Sequence, residues 1–300
     1  MGPTDDGDHP YGFVTPAMGW TYEKQGQVGY WHIPGWARYG FSARFITREG
    51  GHSSDPYRGR NISYGVGDRA SVVAVNREKI LESLPTSAPR VILTVQQVHG
   101  DAVATVEDYD IAEGEHGWLS GPKADAIIGS GCHVGLATMH ADCLPVYLLD
   151  DVTGIFALVH VGWRGLVDGV IERTVEAMGT GYGSRPEDLR VALGPAIEHD
   201  VYEVDTTVLR RLTAQSWWRN VAYPARRGHL RLDLAGGARE ALAMVGVPRA
   251  RMITGAPGTH GNPRHFFSHR RDGLTGRCMA LLLPLSGGEC GPATDSRSCP

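Results

Sequence analysis

Short apolar runs, punctuated by Gly, Pro and Asp, fill the middle of this chain and set its expected architecture. "RVILTVQQVH" (90–99) is rich in β-branched residues and reads as a strand that ends at His99. "ADAIIGS" (124–130), "VGLATMH" (134–140), "LPVYLLD" (144–150) and "GIFALVHV" (154–161) suit buried strands, since each is short, nearly all apolar and bounded by turn formers. The period changes in "GLVDGVIERTVEAMG" (165–179). There Leu166, Val167, Val170, Ile171, Val175 and Met178 recur at helical spacing, and Gly179 is the expected stop. "RLDLAGGAREALAMVGV" (231–247) predicts a second helix and "DRASVVAVNREKILESL" (68–84) a third. Strands mixed with amphipathic helices, without strict β-α-β alternation, predict an α/β (α+β) layered sandwich.

The two ends break this pattern. Residues 1–37 combine Gly, Pro, Asp and aromatics with neither period, which predicts an irregular N-terminal extension folded back over the rest. Residues 287–300 are small and polar, the composition of a disordered tail, and Cys290 and Cys299 within it read as exposed thiols.

Composition narrows the function classes. A chain of 300 residues with 42% hydrophobic and 21% charged positions is ordinary for a globular protein and can bury one large core or two smaller ones. The net charge of −4 offers no reason to expect nucleic acid or an anionic membrane as partner. Runs such as "MALLLPL" are too short to span a bilayer. Five cysteines, an odd count without a CxxC pair, and no apolar leader argue against a disulfide scaffold and for a reducing cytoplasm.

Three strong ligand types stand at strand ends. His99 closes one run, Cys143 lies in the "HADC" turn between two others, and His160 closes "IFALVH" just before "GWRG". Strand ends beside tight turns can converge on one rim of a sheet. A His/Cys/His set suits zinc with a fourth position open, and soft sulfur with imidazole also suits copper. The same residues permit a Cys143 nucleophile with His99 or His160 as its base, or simple packing of a small buried thiol. Spacing does not separate these readings, because the gaps match no short zinc-binding pattern. Asp125 and Asp142 are candidates to orient a ligand histidine, and His140 is expected to point away from Cys143. The basic stretch "HFFSHRRDGLTGR" could meet a phosphate or carboxylate. No Walker A, GxSxG or GxGxxG motif occurs.

Several segments, in order, carry a resemblance: "YGFSARFITREGGHSSDPYRGRNISYGVGD", "VNREKIL", "QQVHGDAV", "ADAIIGS", "ADCLPVYLLD", "VHVGWRGLVDGVIERTV", "LGPAIEHDVYEV" and "FFSHRRDGLTGR". Together they resemble the YfiH or laccase-domain family, also called multicopper polyphenol oxidase or peptidoglycan editing factor proteins. The resemblance implies one catalytic domain over 38–286. It implies an α-β-β-α sandwich like that of YfiH and the catalytic domain of cytotoxic necrotizing factor. It implies a zinc site at His99, Cys143 and His160, copper being the alternative, with these residues also catalytic. Asn61, Arg164, Arg270 and Arg271 are the substrate-binding residues expected from the same motifs. The activities implied are purine nucleoside phosphorylase, adenosine deaminase and methylthioadenosine phosphorylase, with a purine nucleoside and phosphate as substrates. A copper-dependent polyphenol oxidase and a hydrolase editing peptidoglycan precursors are the other expectations, in a cytoplasmic monomer or homodimer. Three departures from the family pattern bear on substrate choice: Val161 where Ala is usual, His140 where Thr is common, and no cysteine-threonine pair ahead of "FFS".

Overall fold

The computed structural model describes residues 19–108 and 117–285. In chain order the first strands are β1 (Thr21–Gln25), β2 (Val28–His32), β3 (Phe41–Ile46), β4 (Val91–Gln96), β5 (Val103–Thr105), β6 (Gly117–Lys123), β7 (Ala126–Gly129) and β8 (Val134–His140). They continue with β9 (Leu144–Asp150), β10 (Phe156–Val161), β11 (Leu189–Leu193), β12 (Glu203–Asp205), β13 (Ala222–Pro224), β14 (His229–Leu232), β15 (Met252–Ile253) and β16 (Cys278–Pro284). The α-helices are α1 (Ala70–Glu82), α2 (Trp163–Asp168), α3 (Val170–Tyr182), α4 (Thr206–Leu212), α5 (Leu234–Met244) and α6 (His269–Asp272). One sheet runs β1-β2-β3-β16-β8-β4-β6, a second β15-β11-β9-β10-β7-β5, and a small third β12-β14-β13.

Period-two alternation sorts each central strand between two apolar layers. On β10, Phe156 and Leu158 enter the layer between the large sheets, while Ala157, Val159 and Val161 enter the layer under α2, α3 and α5. On β9 the inward pair is Tyr147 and Leu149, and Val146 and Leu148 face the helices. On β16, Cys278, Ala280 and Leu282 point inward, whereas Met279, Leu281 and Leu283 pack on the side of Ile80 from α1. Strands buried on both faces read as unbroken apolar runs, which is why these segments stood out. The layers are therefore α1, the seven-stranded sheet, the six-stranded sheet, then α2, α3 and α5. This is the α-β-β-α order expected.

Four local expectations are corrected. Residues 1–37 are not irregular throughout: β1 and β2 form a hairpin, and β2 pairs with β3 to extend the large sheet. The part of that extension over 1–18, and the tail over 287–300, lie outside the described residues. The strand expected to end at His99 stops at Gln96, so His99 sits in the loop beyond it. The single helix expected over 165–179 is two, broken at Gly169 (φ 89°), and α3 runs past Gly179 to a left-handed cap at Gly183. The helix expected from Arg231 starts at Leu234, because Asp233 caps it by accepting from Gly236 N–H, and the residues before it form β14.

Candidate functional site

The two large sheets each end their inward face on a histidine. The series Leu136, Thr138, His140 on β8 faces the series Phe156, Leu158, His160 on β10. The His140 and His160 ring centroids are 5.2 Å apart. The loop after β4 brings the His99 ring to 4.9 Å from that of His160, nearly edge-on at 82°. The turn between β8 and β9 supplies Cys143. The ligand-capable atoms of His99, Cys143 and His160 all lie within 4.8 Å of one another. A tetrahedral ion with bonds of ~2.0–2.3 Å holds its ligand atoms roughly 3.5 Å apart, so small side-chain adjustments complete such a site. Three residues far apart in sequence thus converge where the sandwich opens.

Asp125 organises two of these donors. Its carboxylate accepts the backbone N–H of Val98 at 3.2 Å, His99 at 3.0 Å and Gly100 at 2.7 Å, which fixes the His99 loop. It also accepts His160 Nδ1–H at 2.8 Å. Burial alone would raise the Asp125 carboxyl, but the His160 bond and the Gly100 and Val98 amides outweigh it and hold it below the usual range. With Nδ1–H committed to Asp125, Nε2 is the His160 nitrogen that would meet a metal, which would displace any proton held there. Burial would raise the Cys143 thiol, yet His160 and then His99 outweigh that and pull it down. Burial would lower His160, yet Cys143 and then Asp125 push it up. A thiolate between imidazoles is the donor form zinc requires.

His140 does not point away from Cys143. Its Nδ1 lies 3.0 Å from the Cys143 carbonyl and its Nε2 2.8 Å from Thr138 Oγ1. Burial, followed by the neighbouring His160, keeps its pKa well below the usual imidazole value, so the ring is neutral. A neutral ring next to a carbonyl donates from Nδ1 and accepts the Thr138 hydroxyl at Nε2. His140 therefore braces the ligand turn.

Two backbone features mark the same spot. Among the described residues, the non-glycine residues at positive φ are His99 (60°) and Asp142 (95°). Such conformations persist only when neighbours enforce them. Asp142 is held by the Thr259 hydroxyl and the Arg270 N–H, both at 2.7 Å, and its carbonyl accepts from Ile197 N–H at 3.0 Å. Gly162 packs beneath the site, where an added Cβ would stand 3.0 Å from His99 Cδ2 and 3.3 Å from Cys143 Sγ.

The donors open into a cleft of about 730 Å³ whose wall includes Arg77, Arg164, Arg270 and Arg277, with Asp142 its only carboxylate among the described residues. Arg164 lies on the Trp163 ring (4.5 Å) and Arg270 on the Tyr202 ring (5.0 Å). The other two expected substrate residues sit elsewhere. Asn61 is fully buried, binding Asp68 and the Ser63 carbonyl while accepting Arg277 N–H at 3.0 Å, and so braces loops behind the cleft. Arg271 spends its guanidinium on the carbonyls of Thr259, His260 and Phe266 and on Asp272. Arg77, Arg277 and Tyr202 line the cleft and were not singled out. Each falls inside a quoted motif, but nothing in a linear pattern marks which way they face.

A family profile described as multi-copper polyphenol oxidoreductase laccase matches residues 42–284. The chain belongs to this family. Among its relatives is the purine nucleoside phosphorylase YlmD of Geobacillus stearothermophilus, 32% identical over 262 residues, covering 83% of this chain and 94% of the relative. A purine nucleoside phosphorylase of Deinococcus radiodurans is 35% identical over 251 residues, covering 83% and 92%. Solved structures superpose closely. The Bacillus licheniformis hypothetical protein YfiH gives a TM-score of 0.78 at 27% identity, covering 87% of this chain and 98% of its own. YlmD from Geobacillus stearothermophilus gives 0.76 at 28%, covering 88% and 98%.

Proposed function

We propose that this protein is a purine nucleoside phosphorylase whose zinc is held by His99, Cys143 and His160, and that the same cleft takes adenosine for deamination and methylthioadenosine for phosphorolysis. The observation that carries this reading is the convergence of the three donors within 4.8 Å in the wall of a strongly cationic cleft. Relatives named purine nucleoside phosphorylase match over most of the chain and support the substrate class.

In phosphorolysis a phosphate oxygen bonds to C1′ of the ribose while the bond from C1′ to the purine nitrogen breaks. The base leaves with that electron pair and takes up a proton. When bound, zinc supplies a Lewis acid at the cleft floor. The chain's own residues do the rest of the positioning. Asp125 holds the His160 ring by its Nδ1–H and the His99 loop by its backbone, so both imidazoles are aimed before substrate arrives. Arg277, half-buried, anchors Nη1 on the Thr275 and Gly276 carbonyls at 2.9 Å each, which leaves Nε and Nη2 to meet an anion. Burial works against its charge, and the nearby Cys143 and Asp142 support it. Arg164 and Arg270, each with its guanidinium over an aromatic ring, are preorganised on the cleft wall.

A phenol-oxidising laccase uses several copper centres. Among the described residues the group able to hold a metal is the one His/Cys/His set, which favours the phosphorylase reading. The test is incubation of purified protein with inosine or adenosine and phosphate, with chromatographic detection of products, beside elemental analysis. Free base, ribose 1-phosphate and about one zinc per chain are the expected results. More than one copper per chain, with oxygen uptake on phenols and no base release, would contradict the reading.

A further inference from the structure

On the cleft wall, Arg77 of α1 packs against Tyr64. Arg77 is only 5% exposed. Its Nε donates to the Ile62 carbonyl at 2.8 Å. Its guanidinium lies against the Tyr64 ring at 4.6 Å and the Trp118 ring at 5.2 Å. Among the described residues no carboxylate pairs with it, and neither Nη atom has a protein acceptor, its contacts being the Ile62 carbonyl and the two rings. These two nitrogens are not sealed off, unlike the Nη1 atoms of buried Arg44 and Arg60, and Arg77 forms part of the cleft wall.

A guanidinium does not ionise away as a buried lysine or carboxyl can, so its desolvation must be offset by a partner. Aromatic faces offset part of that cost. They leave the in-plane fork of two Nη groups unsatisfied, and that fork matches the oxygen spacing of phosphate. A neutral donor lines the same cleft. Ser120 follows Trp118 by two residues on β6, hence on the same face, and is the register partner of Thr94, which also lines the cleft. The neighbouring Gln97 is not free to compete, since its amide is tied both ways to the Met139 backbone.

We infer that Arg77, with Ser120 on the same cleft wall, forms a phosphate-binding subsite of the cleft. The inference rests on the phosphorylase reading only for the use made of that phosphate, which is either the free co-substrate or a phosphate ester carried by the nucleoside. Burial lowers the Arg77 pKa from its ordinary value, in keeping with a cation that lacks its counter-ion.

The test is calorimetric titration of the zinc-loaded full-length protein with inorganic phosphate and, separately, with a nucleoside 5′-monophosphate. Wild type should bind at least one of the two saturably. The arm that binds identifies the source. Arg77→Met should weaken that binding at least tenfold with zinc content unchanged, and Arg77→Lys should recover part of the loss. Ser120→Asp, at an exposed position, puts a negative charge on the same cleft wall without removing a buried group and should weaken binding by a similar factor. It keeps the inference testable where Arg77→Met does not fold. No saturable binding by wild type in either arm, or unchanged affinity in Arg77→Met or Ser120→Asp, would overturn the subsite. Intact phosphate binding without release of base from any nucleoside would instead overturn the phosphorylase reading and leave the subsite standing.

Discussion

Gly162 shows how narrowly the proposed metal centre is fitted. A methyl group there would lie 3.0 Å from His99 and 3.3 Å from the Cys143 sulfur, closer than ordinary side-chain contacts. One of the two donors would have to shift by a few tenths of an ångström. Gly162→Ala should therefore weaken zinc binding by about tenfold, within the range seen when groups supporting metal ligands are changed. Chelator competition on the folded variant measures this, and unchanged affinity would mean the donors do not act together. His99, Cys143 and His160 could be picked out of the sequence because they stand at the ends of apolar runs. Their shared support could not. Asp125 bonds to His160, 35 positions away, and Asp142 to Thr259, 117 away, and such partners depend on topology. Asn61 and Arg271 carry polar types suited to a substrate site, but backbone carbonyls and neighbouring carboxylates claim their hydrogen bonds. Arg77 is distinguished by its burial and by having no acidic partner among the described residues, neither of which a linear pattern carries.

At the scale of elements, the break between α2 and α3 carries a pair of opposite predictions. Gly169 sits at φ 89°, where a side chain is strained, whereas Gly181 lies inside α3 with nothing within 4 Å of an added Cβ. Gly169→Ala should cost roughly 1 kcal/mol of stability. Gly181→Ala should add about 0.5 kcal/mol by restricting the unfolded chain. Denaturant midpoints compare them, and the same sign for both would contradict the helix boundaries. The helical period spans the break, so apolar spacing alone reads it as one helix. The third sheet is not legible for another reason: β12 and β13 have three residues each, too few for a period-two signal. The N-terminal hairpin escaped because it is short and half-exposed. It is held by side chains distant in sequence: Trp31 Nε1 donates to His265 Nδ1 at 3.3 Å, and His265 stacks on Tyr22 at 4.6 Å. Protonating Nδ1 would remove that acceptor. Burial lowers the His265 pKa, and Arg264 and Lys24 add to this against the opposing pull of Glu49. The unfolded chain therefore takes up this proton first, so stability should fall as pH drops below about 6.5, the ordinary imidazole value. Thermal melts between pH 7 and pH 5 should show a shallower loss in His265→Gln. An unaltered slope would remove His265 from the account.

For the molecule as a whole, two sheets packed face to face bring strand ends from both to one rim, and the α-helices on the outer faces leave that rim open. The alternating apolar runs made the layered class legible, and the ordered motifs made the family legible. What neither revealed was the shape and charge of the cleft, since its four arginines come from α1, α2, α6 and the segment before β16. The central claim is that phosphorolysis depends on zinc held by His99, Cys143 and His160. The most direct test is the rate of phosphate-dependent base release from inosine after exhaustive chelation, and again after zinc is restored. The rate should fall to background on chelation and return with about one equivalent of zinc. A metal-free protein that keeps its full rate, yet loses it when thiols are alkylated, would contradict the claim and make Cys143 a nucleophile.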